Sequence, residues 1–154
     1  MLLSTLQNQS NTYAVVVNYL NDNNFRFEIN EQETLISAKF SGENGNWQTY
    51  FHINTEREFL QIISVCPLNV KDTKKLCIAE LLTRINNKVL FGNFTLNFED
   101  GGICFTTTQL LQQVALNTAM FHTLFQTNVN TLDEYIPAIL AVNSGFAEPC
   151  LAAQ

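Results

Sequence analysis

Charge is scarce in this sequence, and positive charge scarcest. Eight Lys and Arg stand against fourteen Asp and Glu, 14% of 154 residues together, for a net charge of −6. Nucleic acid needs a basic footprint that displaces counterions, and an anionic membrane surface needs a polybasic one, so neither partner is expected. Long apolar runs are also missing: the best, residues 136–142, falls far short of the roughly eighteen residues of a membrane span. The opening MLLSTLQNQS has no basic stretch ahead of a long apolar one, so no secretory leader is expected and the chain reads as cytoplasmic. Only two histidines, His52 and His122, and four cysteines, Cys66, Cys77, Cys104 and Cys150, are present, without a CxxC spacing. Metal sites need several converging ligands, so the thiols read as free ones in a reducing compartment. No GxSxG, HExxH, GxGxxG or P-loop pattern occurs. The pairs Glu99-Asp100 and Asp133-Glu134 read as a turn and a solvated helix face rather than the carboxylates of a cleft. No catalytic residue, cofactor or metal is expected.

What is present is apolar. Hydrophobic residues make up 46% of the chain, with twelve Phe, enough to expect one packed domain that buries about 70% of its unfolded surface. A first helix is predicted over 11–21, capped by Ser10 or Asn11, with Tyr13, Val16, Val17 and Leu20 on one face. Four strands follow over 25–29, 34–40, 47–53 and 58–65, separated by polar turns and alternating in period two, as in an antiparallel meander ended by Pro67. Asp72 is placed to cap a second helix, whose core face gathers Ile78, Leu81, Leu82, Ile85 and Val89. Segments 91–98 and 103–108 then flank Asp100-Gly101, a hairpin signal for a type I′ turn. A last helix is predicted over 117–143, with Phe121, Leu124, Phe125, Leu132, Tyr135, Ile136 and Ile139 inward and Pro137 outward, where it bends the helix. The expected organisation is a single α+β domain over 1–145 and a flexible tail over 146–154.

The run LLTRINNKVLFGNFTLNFEDGGICFTTT, followed by the helix end LDEYIPAILAV, resembles the YbjN-like family, which includes cyanobacterial members and carries the label of bacterial sensory-transduction regulators. The resemblance spans 71–145 well and the meander loosely. It implies a fold like that of the type III secretion chaperones: an antiparallel sheet, built from an N-terminal meander plus a C-terminal hairpin, with three helices. One departure is visible, since four strands precede the middle helix here and three do so in the secretion chaperones.

Three features are left over once folding is accounted for. Lys71, Lys74, Lys75, Arg84 and Lys88 cluster about the middle helix, and lysines at a helix start oppose its dipole; they read as a solvated helix end or as a contact with an acidic partner. Leu76 falls on that helix's polar face, either anchoring an interface or lying under the connecting loop. Asn128 sits among apolar residues of the last helix, so it is either satisfied inside the fold or faces a groove or partner. Leu76, Lys74, Lys75, Arg84 and Asn128 are therefore the candidate partner-binding residues. Together with the resemblance they imply a non-enzymatic interaction domain, chaperone-like or a regulatory adaptor, dimeric and binding another protein. The rival is a small-molecule-binding protein or enzyme with a cavity between the sheet and the last helix, lined by Phe, Tyr and Asn128.

Overall fold

One six-stranded antiparallel sheet, in the order β1-β2-β3-β4-β6-β5, organises the molecule. The computed structural model describes the backbone of residues 2–154 and the side chains from Asn11 onward. Its elements are α1 (Leu2–Asp22), β1 (Phe27–Asn30), β2 (Leu35–Ser41), β3 (Asn46–Asn54), β4 (Phe59–Asn69), a 3-10 turn (Asp72–Lys74), α2 (Lys75–Asn86), β5 (Asn93–Leu96), β6 (Gly102–Leu110), α3 (Thr118–Ser144) and α4 (Pro149–Ala152). The predicted meander is β1 to β4, and the predicted hairpin joins the same sheet with β6 against β4. The α+β class and the four strands ahead of α2 are as the sequence indicates.

Strand alternation sorts side chains to two faces. Ile36, Phe51, Leu60, Ile62, Ile103 and Phe105 point to the helix side and are fully buried. On that side α3 supplies Phe121 and Phe125, one helical turn apart with parallel rings 6.0 Å between centroids, and Tyr19 of α1 meets Phe121 edge-on at 4.9 Å. Burying each such ring contributes about 2–3 kcal/mol, which lets α1 keep its β-branched Val15-Val16-Val17 run helical. Asn117 caps α3, its side chain accepting from the Met120 N–H, and Gly145 closes it in the left-handed conformation at φ 80°. Pro137 is exposed and the helix runs on through it.

Several local expectations change. Helix α1 runs from Leu2, so Ser10 and Asn11 lie inside it, and Asn11 donates its amide to the Leu116 carbonyl instead of capping. The side chain of Ser10 lies outside the described residues. Pro67 does not end β4; the strand continues to Asn69 through a shift of register between Val65 and Asn69, an irregularity where a missing N–H is tolerated. No side chain caps α2, because the 3-10 turn precedes it and Asp72 pairs with Lys75. The hairpin loop is longer than a two-residue type I′ turn. Of Asp100 and Gly101 only Gly101 has positive φ, 75°, and its N–H donates to Asn97 while the Asp100 carboxylate accepts from Gly102. A side chain at Gly101 would meet the Val70 carbonyl at 2.5 Å. Cys104 is half-buried on the sheet face turned away from the helices, opposite Val65 and Thr95. Residues 146–154 include α4, a fourth helix beyond the three expected, and bury Pro149 and Ala153; Lys88 donates to the Ala153 carbonyl.

Candidate interaction surface

Helix α2 presents four sides. Ile78, Leu81, Leu82 and Ile85 are buried in the core. One flank faces β5, where the Asn86 amide donates to the Phe94 carbonyl at 3.0 Å and accepts the Phe94 N–H at 2.7 Å. That side chain occupies the outer edge of β5 as a neighbouring strand would, closing a template for strand addition. The opposite flank carries Arg84 and Lys88 toward Cys150, Ala153 and Gln154, which line a small open hollow of about 310 Å³. The outer side holds Leu76, Glu80, Thr83 and Asn87, spaced to fall on one stripe, and all four are exposed.

Leu76 is 78% exposed, so it does not lie under the connecting loop. Leu90 and Phe91, at the exit of the same helix, are 87% and 70% exposed. Phe91, expected in a strand over 91–98, lies ahead of β5, which starts at Asn93; the sequence signal for the pair is two apolar residues between Asn86-Asn87 and Gly92. Exposed apolar residues are ordinary when scattered, and Phe146, Leu110 and Leu151 are exposed elsewhere at 90%, 63% and 62%; Leu76 at the start of α2 and the adjacent pair Leu90-Phe91 just beyond its end are the ones this helix carries.

The cations are largely engaged within the fold. Lys75 pairs with Asp72 at 2.7 Å and donates to the Phe98 carbonyl at 2.5 Å, its side chain 15% exposed. The hydrogen bond and the charge of Lys75 hold the Asp72 carboxyl below its ordinary range. Arg84 pairs with Glu80 one turn away at 2.8 Å. Lys74, at the start of α2, lies beside Gly145 at the end of α3, where helix carbonyls favour a cation. The apparent conflict with the α2 dipole is thereby offset by partners from elsewhere in the chain. Lys71 makes no ion pair among the described residues, and its backbone N–H donates to Asn143.

Asn128 is fully buried, so it is no part of this surface. Its amide donates to Ile62 O at 2.9 Å, Phe105 O at 3.2 Å and Thr107 Oγ1 at 3.2 Å. Its oxygen accepts from Ser64 Oγ at 2.6 Å, which leaves the Thr49 hydroxyl, 2.8 Å from Ser64, as the next donor in the chain. The residue clamps α3 onto β4 and β6 with its hydrogen-bonding capacity spent inside. The space between sheet and α3, where the rival reading puts a ligand cavity, is filled by Phe51, Phe105, Phe121 and Phe125. Open hollows lie elsewhere: about 910 Å³ along β1 and β2, and about 630 Å³ between α3 and the β2–β3 turn. At the latter, the Asp133 carboxylate accepts the N–H groups of Glu43 at 2.8 Å and Asn44 at 2.9 Å, so this side chain tethers a turn ninety residues away rather than facing solvent. Among the described residues no three His, Cys, Asp or Glu side chains gather to hold a metal, and no helix is long and apolar enough to cross a membrane. His122 accepts or donates at Tyr19 Oη, 2.7 Å away, and His52 stands edge-on to Phe59 at 5.9 Å; the two histidines are in separate elements and share no partner.

A single six-stranded antiparallel sheet with its helices on one side is a secretion-chaperone-like α+β fold. Solved structures share that fold: the ExsC–ExsE complex (TM-score 0.66, 14% identity, 84% of this chain and 93% of that one) and the HopA1–SchA chaperone–effector complex (0.57, 11%, 80% and 91%). YbjN from E. coli shares it as well (0.64, 14%, 87% and 93%). The family model described as YbjN, "Putative bacterial sensory transduction regulator", matches residues 12–141, and the chain belongs to that family. No curated protein matches it significantly.

Proposed function

We propose that this chain is a non-enzymatic protein-interaction domain, a chaperone-like or regulatory adaptor of the cytoplasm, that works as a homodimer and takes another protein on the outer face of α2. The observation that carries the reading is the exposure of three large apolar side chains about α2, Leu76 at its start and Leu90 and Phe91 just beyond its end. Burying three such side chains is worth roughly 5–8 kcal/mol before the costs of association, enough to matter in an interface. Family membership supports a regulatory role, and the neighbours ExsC–ExsE and HopA1–SchA are complexes between proteins. Lys71 and Lys74 add positive charge beside this face, so a partner with acidic groups near its apolar anchor fits best; Lys75 and Arg84 would contribute only by leaving Asp72 and Glu80. Asn128 supports the surface from within, by fixing α3 on the sheet, and does not touch the partner.

Light scattering across a wide concentration range, with native co-purification from the source cell, tests the reading. A dimer and a specific co-purifying protein are expected. A monomer at every concentration that brings down nothing would contradict it.

A further inference from the structure

The two edges of the sheet are not alike. On β5 the Asn86 amide already occupies the outward backbone groups of Phe94. On β1 no described element pairs with the outer side. An edge left open is a liability unless something covers it, and the residues here specify the cover.

We propose that β1 is covered by the β1 of a second copy, the two strands running antiparallel about a two-fold axis at Phe27. This deepens the homodimer part of the proposed function and rests on it. The strand and its lead-in read Phe25-Arg26-Phe27-Glu28-Ile29. With the axis at Phe27, each Phe25 stands opposite the other copy's Ile29, each Arg26 opposite the other copy's Glu28, and Phe27 opposite itself. Apolar residues meet apolar ones on the helix side, and opposite charges meet twice on the other face. Moving the axis one residue either way sets Arg26 against Arg26 or Glu28 against Glu28, so charge selects the register.

Two further observations fit. Arg26 and Glu28 are exposed and neither has an ion pair among the described residues. Ile29, at one end of β1, is 40% exposed on the helix side, where the two-fold sets it against Phe25; the open hollow of about 910 Å³ along β1 and β2 is lined by Arg26, Glu28, Ser37, Lys39 and Gln48 as well as by Phe25, Phe27 and Phe40. The chain is acidic, at −6, so two copies repel over most of their surfaces; β1 offers them attraction instead. So short a pairing buries less than the roughly 1,600 Å² of a standard interface, and a dimer of about micromolar affinity is expected.

Sedimentation equilibrium of the full chain from low micromolar to high micromolar concentration tests this, with circular dichroism to show that each variant is folded. R26E and E28R each turn two attractive pairs into two repulsive ones and should weaken the dimer by about tenfold. The double variant R26E/E28R restores both pairs with their signs exchanged and should return the constant to within about threefold of wild type. A wild-type dimer that neither single change weakens, or one that the double change fails to restore, overturns the β1 assignment and leaves the dimer standing. A wild type that stays monomeric throughout overturns the dimeric reading and this inference with it.

Discussion

Replacing Asn128 with leucine isolates the polar clamp at the centre of the core. The side chains are close in volume, so the effect is chemical rather than a cavity. The change deletes the bonds to Ile62 O, Phe105 O and Thr107 Oγ1 and removes the acceptor of the Ser64 hydroxyl. Thr107 and Ser64 are 2% and 0% exposed, so water cannot take over. Ser64 keeps Thr49 as a neighbour, which moderates one of the two losses. An unsatisfied buried group costs about 1–3 kcal/mol, so Asn128→Leu should destabilise by about 2–4 kcal/mol. With a urea slope of about 2 kcal/mol/M, the midpoint should fall by about 1–2 M at unchanged slope. The single tryptophan, Trp47, is buried at 4% exposure and reports the transition by fluorescence. Changing the whole network to apolar residues, T49V/S64A/T107V/N128L, should recover much of the loss, because no polar group is then left orphaned. An Asn128→Leu variant as stable as wild type would refute the claim that this network holds α3 to the sheet.

Three other outcomes are expected. Asp133→Ala releases the β2–β3 turn from its two charge-assisted hydrogen bonds and should lower the melting temperature by a few degrees, about 1–2 kcal/mol, with faster amide exchange at Glu43 and Asn44. Asn86→Ala unblocks the β5 edge; the Phe94 amide should lose protection in hydrogen exchange, and the protein should form assemblies larger than those of the wild type. Burial pushes the Cys66 thiol up from 9.0 to about 12. The folded state therefore holds this proton where the unfolded chain has released it. The stability is full below pH 9 and is lost as pH rises toward 12, with a smaller loss for Cys66→Ala in alkaline denaturation curves measured against its own neutral-pH value.

Period and punctuation made most of the architecture legible. Alternation marked β2, β3 and β4, and the 3.6-residue arc of Ile78, Leu81, Leu82 and Ile85 marked α2. Asn117 and Gly145 bound α3 much as cap chemistry predicts. What was not legible depends on partners distant in sequence. Asp133 looks solvated until the β2–β3 turn is brought to it, and Lys74 and Lys75 look misplaced until Gly145 and Phe98 come beside them. Asn128 could be read either way, because its donors and acceptors come from β4 and β6. Leu76 stands out as an exception to its helix face, whereas Leu90 and Phe91 follow the helix and break no period, and only their place between Asn86-Asn87 and Gly92 marks them.

The proposed function places protein binding at the outer face of α2. The most direct measurement is a quantitative native co-purification in which the wild-type chain and L76E/L90E/F91E are isotopically distinguished and compared in one mass spectrum. All three residues are exposed, so the variant should keep its circular dichroism and melting temperature while the partner falls at least tenfold. Equal recovery of the same proteins by a folded variant would contradict the claim.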